Sequence, residues 1–457
     1  MKKLQAILVI AILATMTLSL ASCKKCEHTE TLKVFSNIVD STCTEEGSKT
    51  EAVHCADCYE EISSKRVSID PLGHTYEDGK CVRCDAEDPA KGLLIKPSAD
   101  GAGYVVISVG AYAESHLVIP AQYEGKDVVA IADGAFENCT FLKSVVISDN
   151  LLSIGAGAFK NCSSLESIEL GNSVSLVGYE AFEGCDKLQY TKYGNSDFDA
   201  FYLGNELNPY LVLVKCGEYK GKEILAEAKI HKNTCVIAGG AFKDISNLTS
   251  VEVPSGVSFI CERAFEGCAD LVYIELGKSL VSIGDSAFAY CSQLTEVEMG
   301  NAVTEIGIDA FKYCIDLTKV QLSSALTTIK SGTFYNCRDL KTVKLPSKIE
   351  SIGACAFENC NSLESVSFNN SLVEIGNRAF YGCELLSAFE APSSLVTIGK
   401  SAFECCQSLE KLTLNNGLIS IGERAFSHCE SLTDVTIPES VTSVGENCFA
   451  YCPITSE

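Results

Sequence analysis

Histidine is scarce in this 457-residue chain, six in all, and none recurs with the twelve of its 25 cysteines that keep a fixed spacing. A nucleophilic thiol needs a neighbouring base to raise its thiolate fraction, so thiol catalysis has no support. Basic residues are also short, 36 Lys and Arg against 60 Asp and Glu, which leaves a net charge of −24. That balance excludes nucleic acid, whose phosphates need basic patches, and electrostatic adsorption to anionic lipid. Apart from the N-terminal segment there is no run of 18 apolar residues, so nothing else reads as a membrane span. No Ser/His/Asp set, phosphate loop or carboxylate pair stands at unique positions, and His116, His231 and His428 are scattered as surface residues would be.

What the chain does have is a rhythm. Thirteen phenylalanines recur every 23 residues, at Phe136, Phe159 and Phe182 and then from Phe242 to Phe449, with one gap of 60 residues between the two runs. Such a period signals a solenoid whose units bury their apolar edges only against one another. In Leu271–Cys291, Leu271, Ile274 and Leu276 carry the alternation of a short strand. Leu280 and Ile283 take the chain over the top, Gly284 provides a turn, and Ala287, Phe288 and Cys291 return in one helical or 3-10 turn. Two full helices do not fit in 23 residues, which excludes the helix-pair repeats of about 33 residues or more.

At these residues the chain resembles the BspA-like leucine-rich repeat surface proteins of bacteria, with Leu432–Cys452 closest to the unit L-x-x-V-x-I-P-x-x-V-x-x-I-G-x-x-A-F-x-x-C. The resemblance covers roughly residues 102–457, with Ile245 replacing one repeat cysteine and Cys261 and Lys330 standing in the glycine slot. It implies a β-rich α/β solenoid, an arc of about 13 coils of 23 residues with a parallel sheet and short helical or 3-10 turns. It also implies binding or adhesion to proteins or cells, and no catalysis. Fold analogy is weaker warrant for function than for architecture.

Twelve cysteines sit three residues after a repeat phenylalanine, from Cys139 to Cys452. A residue fixed in the repeat stacks on its own copies, and reduced cysteine is small and readily buried. These positions read as a buried thiol ladder. Disulfide staples between neighbouring coils are the alternative, and they would break the equivalence of the units.

The N-terminal cysteines read differently. Residues 1–22 have the form of a signal peptide, with Lys2 and Lys3, an apolar run Leu4–Leu13, and Leu20-Ala21-Ser22 before Cys23. Leu-Ala-Ser-Cys resembles a bacterial lipobox, which makes Cys23 the expected lipidation site and the acyl group the only membrane anchor. The expected location is the bacterial cell envelope, facing outward. Cys55-x-x-Cys58 and Cys81-x-x-Cys84 are two pairs of the spacing that presents thiolates to tetrahedral zinc. His28, Cys43, His54 and His74 add further ligands, and the segment resembles small Cys/His-rich modules that precede repeats in bacterial surface proteins. On that pattern His28, Cys43, Cys55 and Cys58 form one closed structural zinc site, and His74, Cys81 and Cys84 with Cys26 form part of another. A single four-cysteine site, or disulfides, are the alternatives. So short a segment has little core to hold it otherwise.

The expected organisation is a signal peptide at 1–22, a Cys/His module and spacer at 23–88, an N-terminal β cap at 89–130, and repeats at 131–457 with an irregular insertion at 189–225. Two places hint at recognition. On successive coils Glu252, Glu275 and Glu298 occupy one outward column of the strand, with Tyr273 and Glu296 in the adjacent one. Stacked like charges destabilise, so this acidic ladder is a candidate patch for a basic segment or Ca²⁺. The insertion holds seven aromatics, among them Tyr202 and Tyr210, and a break in a repeat array often marks a binding face. The reading is a non-catalytic surface protein that binds other proteins or cells. A zinc-handling lipoprotein with the repeats as scaffold is the second reading.

Overall fold

The structure is a computed structural model that describes residues 31–39, 41, 47–55, 61–69, 76–77, 80–81, 83 and 92–454, apart from 195–198 and 218–225. The chain divides into two compact units, residues 1–88 and 89–457. In the first, strands Thr31–Val39, Gly47–Cys55 and Glu61–Ile69 form an antiparallel sheet, and Tyr76–Glu77 pairs with Lys80–Cys81. The second unit is the solenoid.

Each regular coil contributes two short strands rather than the one expected. In the coil of Phe288 they are Tyr273–Glu275, which extends one parallel sheet, and Ser282–Ile283, which extends another. The second forms because Ile283 turns inward between half-buried Ser282 and Gly284 while the backbone stays extended. Its ladder continues into the turn, where the Gly284 N–H donates to the Ile260 carbonyl at 2.8 Å. The core between the sheets holds the phenylalanine rings as two stacks, Phe136 to Phe182 and Phe242 to Phe449, with centroids 4.7–5.7 Å apart and planes within 13° of parallel. A 23-residue unit repeats the same geometry one coil further on, so each ring lands on its copy.

The return segment corrects the sequence reading, since no helix forms among the described residues. Two residues per coil have left-handed backbone, two before and two after the phenylalanine, as at Ser286 (φ 54°) and Tyr290 (φ 64°). Left-handed residues at that spacing cannot continue a right-handed helix. Alternate N–H groups close three-residue turns, Ala287 to the Gly284 carbonyl and Cys291 to that of Phe288. The others donate sideways, Ser286, Phe288 and Tyr290 to the carbonyls of Ile308, Ala310 and Lys312 on the next coil. Backbone bonding therefore runs between coils where a helix would keep it within one.

Gly284 is needed for a different reason from the one expected. Its φ is not positive, but a Cβ there would lie 2.5 Å from the Glu262 N and 2.6 Å from the Cys261 carbonyl carbon. Coil-to-coil approach selects the glycine, not its turn conformation.

The insertion is folded. Strands Thr191–Gly194, Asp199–Leu203 and Val212–Cys216 form an antiparallel meander, and the last of them pairs parallel with Val236–Ile237. The same arrangement opens the unit, where Leu94–Pro97 lies antiparallel to Tyr104–Ser108, and that strand pairs parallel with Lys126–Ile131. Tyr104 precedes Phe136, and Tyr210 precedes Phe242, by the same 32 residues. Val109 donates to the Ala135 carbonyl, and Cys216 to the equivalent Ala241 carbonyl. The insertion thus repeats the opening cap in the middle of the array.

Candidate functional site

Glu252, Tyr273 and Glu275 stand exposed on one sheet and Glu296 and Glu298 on the sheet that follows it, because the strand alternation that buries Val251, Ile274 and Val297 turns their neighbours out. Glu252 and Glu275 are direct partners in the parallel register. Glu298 lies beside Gln321, whose amide donates to it at 3.4 Å. Among the described residues none of Glu252, Glu275 and Glu298 forms an ion pair, although Lys229 stands exposed beside Glu252 as its partner in the register. Glu296 does, since the Lys319 ammonium reaches its carboxylate at 3.2 Å. The ladder is therefore three open carboxylates, with Tyr273 54 % exposed at its side and Val272 next to it. Among the described residues no three acidic, histidine or cysteine side chains converge as metal ligands, so the Ca²⁺ expectation has no support at this ladder.

Tyr202 and Tyr210 go to different environments. Tyr202 is wholly buried, and its hydroxyl accepts the His231 N–H at 3.1 Å, which assigns it to the core instead of a contact surface. Burial raises its pKa to about 12. Tyr210 is half-buried, with the His231 ring stacked on it at 3.7 Å and the Tyr193 ring edge-on at 6.1 Å. Burial lowers the His231 pKa, with the Lys232 charge adding to the effect. Tyr193 is the more open ring of the cluster, 39 % exposed.

The thiol ladder has a geometry of its own. Each repeat cysteine from Cys162 onward donates its Sγ–H to the carbonyl of the preceding coil's phenylalanine at 3.0–3.4 Å. The cysteines of the solenoid, Cys139 to Cys452, are free thiols. Burial pushes Cys291, Cys314, Cys337, Cys360, Cys383 and Cys406 well up, so they stay protonated and inert. Cys261, in the glycine slot, is raised to about 12 by burial and accepts the Val177 N–H at 3.5 Å.

Of the expected metal ligands, Cys55 and Cys81 are each the last residue of an antiparallel strand, the place from which a C-x-x-C knuckle turns. His28, Cys43, Cys58, His74 and Cys84, and the lipidation site Cys23, lie outside the described residues.

The turn edge carries features the sequence reading passed over. Tyr290 stacks on Tyr313 at 5.0 Å, and Tyr335 meets Tyr313 edge-on at 5.5 Å. The Arg378 guanidinium forks onto the nearly buried Glu358 carboxylate at 2.6 and 2.9 Å while lying 3.8 Å over Tyr381. Arg424 and Glu404 repeat the fork's placement two coils on. Tyr290 and Tyr313 share the repeat spacing, a legible signal, but the pairing of one coil's glutamate with the next coil's arginine needs the register.

An open parallel solenoid with two strands per coil and a stacked phenylalanine core is a leucine-rich-repeat protein. The chain belongs to the BspA type leucine-rich repeat region family, which matches residues 126–202, 215–341 and 327–455 in six copies. Among solved structures it is similar to a leucine-rich repeat protein of Bacteroides ovatus, 25 % identical over 79 % of this chain and 91 % of that one, with a TM-score of 0.41. It is also similar to a leucine-rich cell surface protein of Faecalibacterium prausnitzii, 23 % identical over 79 % and 96 %, TM-score 0.34. A third is the pneumococcal vaccine antigen PcpA, 20 % identical over 58 % and 80 %, TM-score 0.39. No curated protein matches the chain.

Proposed function

We propose that the protein is exported, held at the bacterial cell envelope by acylated Cys23, and non-catalytic, and that its repeat array binds other proteins or cell surfaces through the outward face of the two sheets that carry the acidic ladder. The observation that carries this reading is the run of Glu252, Glu275 and Glu298, three exposed carboxylates on successive coils that form no ion pair among the described residues, with Lys229 beside Glu252 at one end and Gln321 beside Glu298 at the other. A repeat protein gains nothing in stability from stacking like charges, so a basic segment of a partner is the natural complement. Residues 26–84 are read as a zinc-stabilised spacer between anchor and array, a role that four-ligand closed sites fill.

The test is binding of the full chain to arrayed Lys/Arg-rich peptides, compared with scrambled neutral controls. The reading expects retention that falls steeply with salt and at least about tenfold in the E252K/E275K/E298K variant, since attraction becomes repulsion. Equal retention on neutral peptides, or no loss in the triple variant, overturns it. Metal analysis of the purified protein tests the spacer, for which one or two tightly held zinc ions are expected.

A further inference from the structure

The turn edge has a backbone code. In eleven of the thirteen coils the phenylalanine N–H and the N–H groups two residues before and after it donate to three carbonyls of the following coil, as Gly157, Phe159 and Asn161 do to Tyr179, Ala181 and Glu183. At the Phe182 coil the N–H groups of Glu180, Phe182 and Gly184 have no acceptor among the described residues. The Gly239 N–H still donates to the Val177 carbonyl at 2.8 Å, so the two coils meet at the glycine, but beyond it the turns part and the Phe182 and Phe242 rings do not stack. Across the gap the carbonyls of Gly239 and Lys243 are also unpaired, while that of Ala241 is taken by Cys216.

A cleft of about 290 Å³ lies between these two turns, lined by Glu180, Phe182, Tyr190, Lys215, Gly240 and Lys243. One wall offers main-chain donors and the other main-chain acceptors. The charges around it are mostly spent, with Glu180 paired to Lys160, and Lys243 to Asp244 and Glu266. Glu183 on the donor wall and Lys215 opposite it are the exceptions. The Lys215 ammonium sits 5.0 Å over Tyr190 and 5.6 Å over Phe201, and it forms no ion pair among the described residues.

We infer that this cleft captures a polypeptide segment of a partner, which takes the place of the missing coil by hydrogen-bonding its carbonyls to the N–H groups of Glu180, Phe182 and Gly184. The array itself names the occupant, because in the eleven covered coils this row is met by polypeptide backbone and by nothing else, and besides the Phe182 coil it is open only at the last coil, that of Phe449. Main-chain bonds of this kind give affinity without sequence preference, as in strand addition to a sheet edge. Selection falls to Lys215, which favours a segment with an acidic side chain beside it. The site is separate from the acidic ladder and asks for the opposite charge.

The test combines amide exchange with peptide selection on the full chain. In the free protein the amides of Glu180, Phe182 and Gly184 should exchange at least about 100-fold faster than those of Gly157, Phe159 and Asn161, which are bonded in the same geometry. Displayed random dodecapeptides panned on the protein should yield acidic binders that slow all three exposed amides. Their binding should fall at least about tenfold in Val214→Trp, which fills the cleft, and in Lys215→Glu, an exposed substitution that spares the core. Both variants should keep the parent's melting profile, and E275K should bind the peptides unchanged. Protection of the row in the free protein overturns the inference. So do an empty selection, binders that leave the three amides unaffected, and protection by acetate or inorganic phosphate equal to that by peptide.

Discussion

The Phe288 carbonyl accepts two protons from two different coils, the Cys291 N–H of its own coil at 3.2 Å and the Cys314 thiol of the next at 3.2 Å. A carbonyl has two lone pairs, and the second has no backbone donor within reach. The cysteine fills it while fitting a space too small for most polar side chains. We expect Cys314→Ala to cost about 1–3 kcal/mol, through the lost bond and the void left behind. Denaturant unfolding measures it, and a change under about 0.5 kcal/mol would mean the bond contributes nothing.

The same thiols set a limit at alkaline pH. Burial raises the native pKa of Cys291, Cys314, Cys337, Cys360, Cys383 and Cys406, so the neutral form is favoured in the folded state. A raised native pKa contributes stability that is complete below the unfolded value and is lost as pH rises beyond it. Each such thiol therefore withdraws about 1.4 kcal/mol per pH unit above roughly pH 8.5. The denaturation midpoint should be nearly flat from pH 6 to 8 and collapse between pH 9 and 11 under reducing conditions. A flat profile to pH 11 would show that these thiols are not buried.

Two glycines in neighbouring parts of one coil should respond oppositely to alanine. A Cβ on Gly307 would lie 2.3 Å from the Asp285 N and 2.4 Å from the Gly284 carbonyl carbon, backbone that cannot step aside without parting the coils. On Gly300 the nearest atom is the Lys278 O at 3.7 Å, and its φ is not positive. Gly307→Ala should lower the melting temperature by several degrees. Gly300→Ala should leave it unchanged or raise it slightly, because the unfolded chain loses freedom.

The second cap should make the larger array independent. The Val212–Cys216 strand covers the Phe242 turn as the Tyr104–Ser108 strand and Val109 cover the Phe136 turn. Residues 199–457 expressed alone are expected to give a folded fragment with its own cooperative melt. A fragment beginning at residue 232, without that strand, should aggregate through its exposed edge. Circular dichroism and light scattering distinguish the two, and equal behaviour would refute the capping role.

The periodic residues were the most legible. Phe288, Leu271 and Ile274 announce their burial by recurrence alone, since a position that faces the core in one coil faces it in all of them. Glu252 and Glu298 were legible as exposed for the same reason. Tyr202 was not. Its neighbours do not repeat, and only the meander that folds it against His231 takes it out of solvent. The return segment read as helical because Ala287-Phe288-x-x-Cys291 has helical spacing, yet left-handed Ser286 and Tyr290 turn its N–H groups toward the next coil.

The sequence by itself determined the repeat, the buried column of phenylalanine and cysteine, and the acidic excess. Each is a property of one unit copied along the chain, so one coil is evidence for all. Only the tertiary structure decided that each coil carries two strands, that Gly284 is required by coil-to-coil approach, and that the insertion is a second cap beside an uncovered row of N–H donors. Those features depend on which backbone groups of one coil meet those of the next. A hydrogen bond between coils leaves no mark on the residue types that make it.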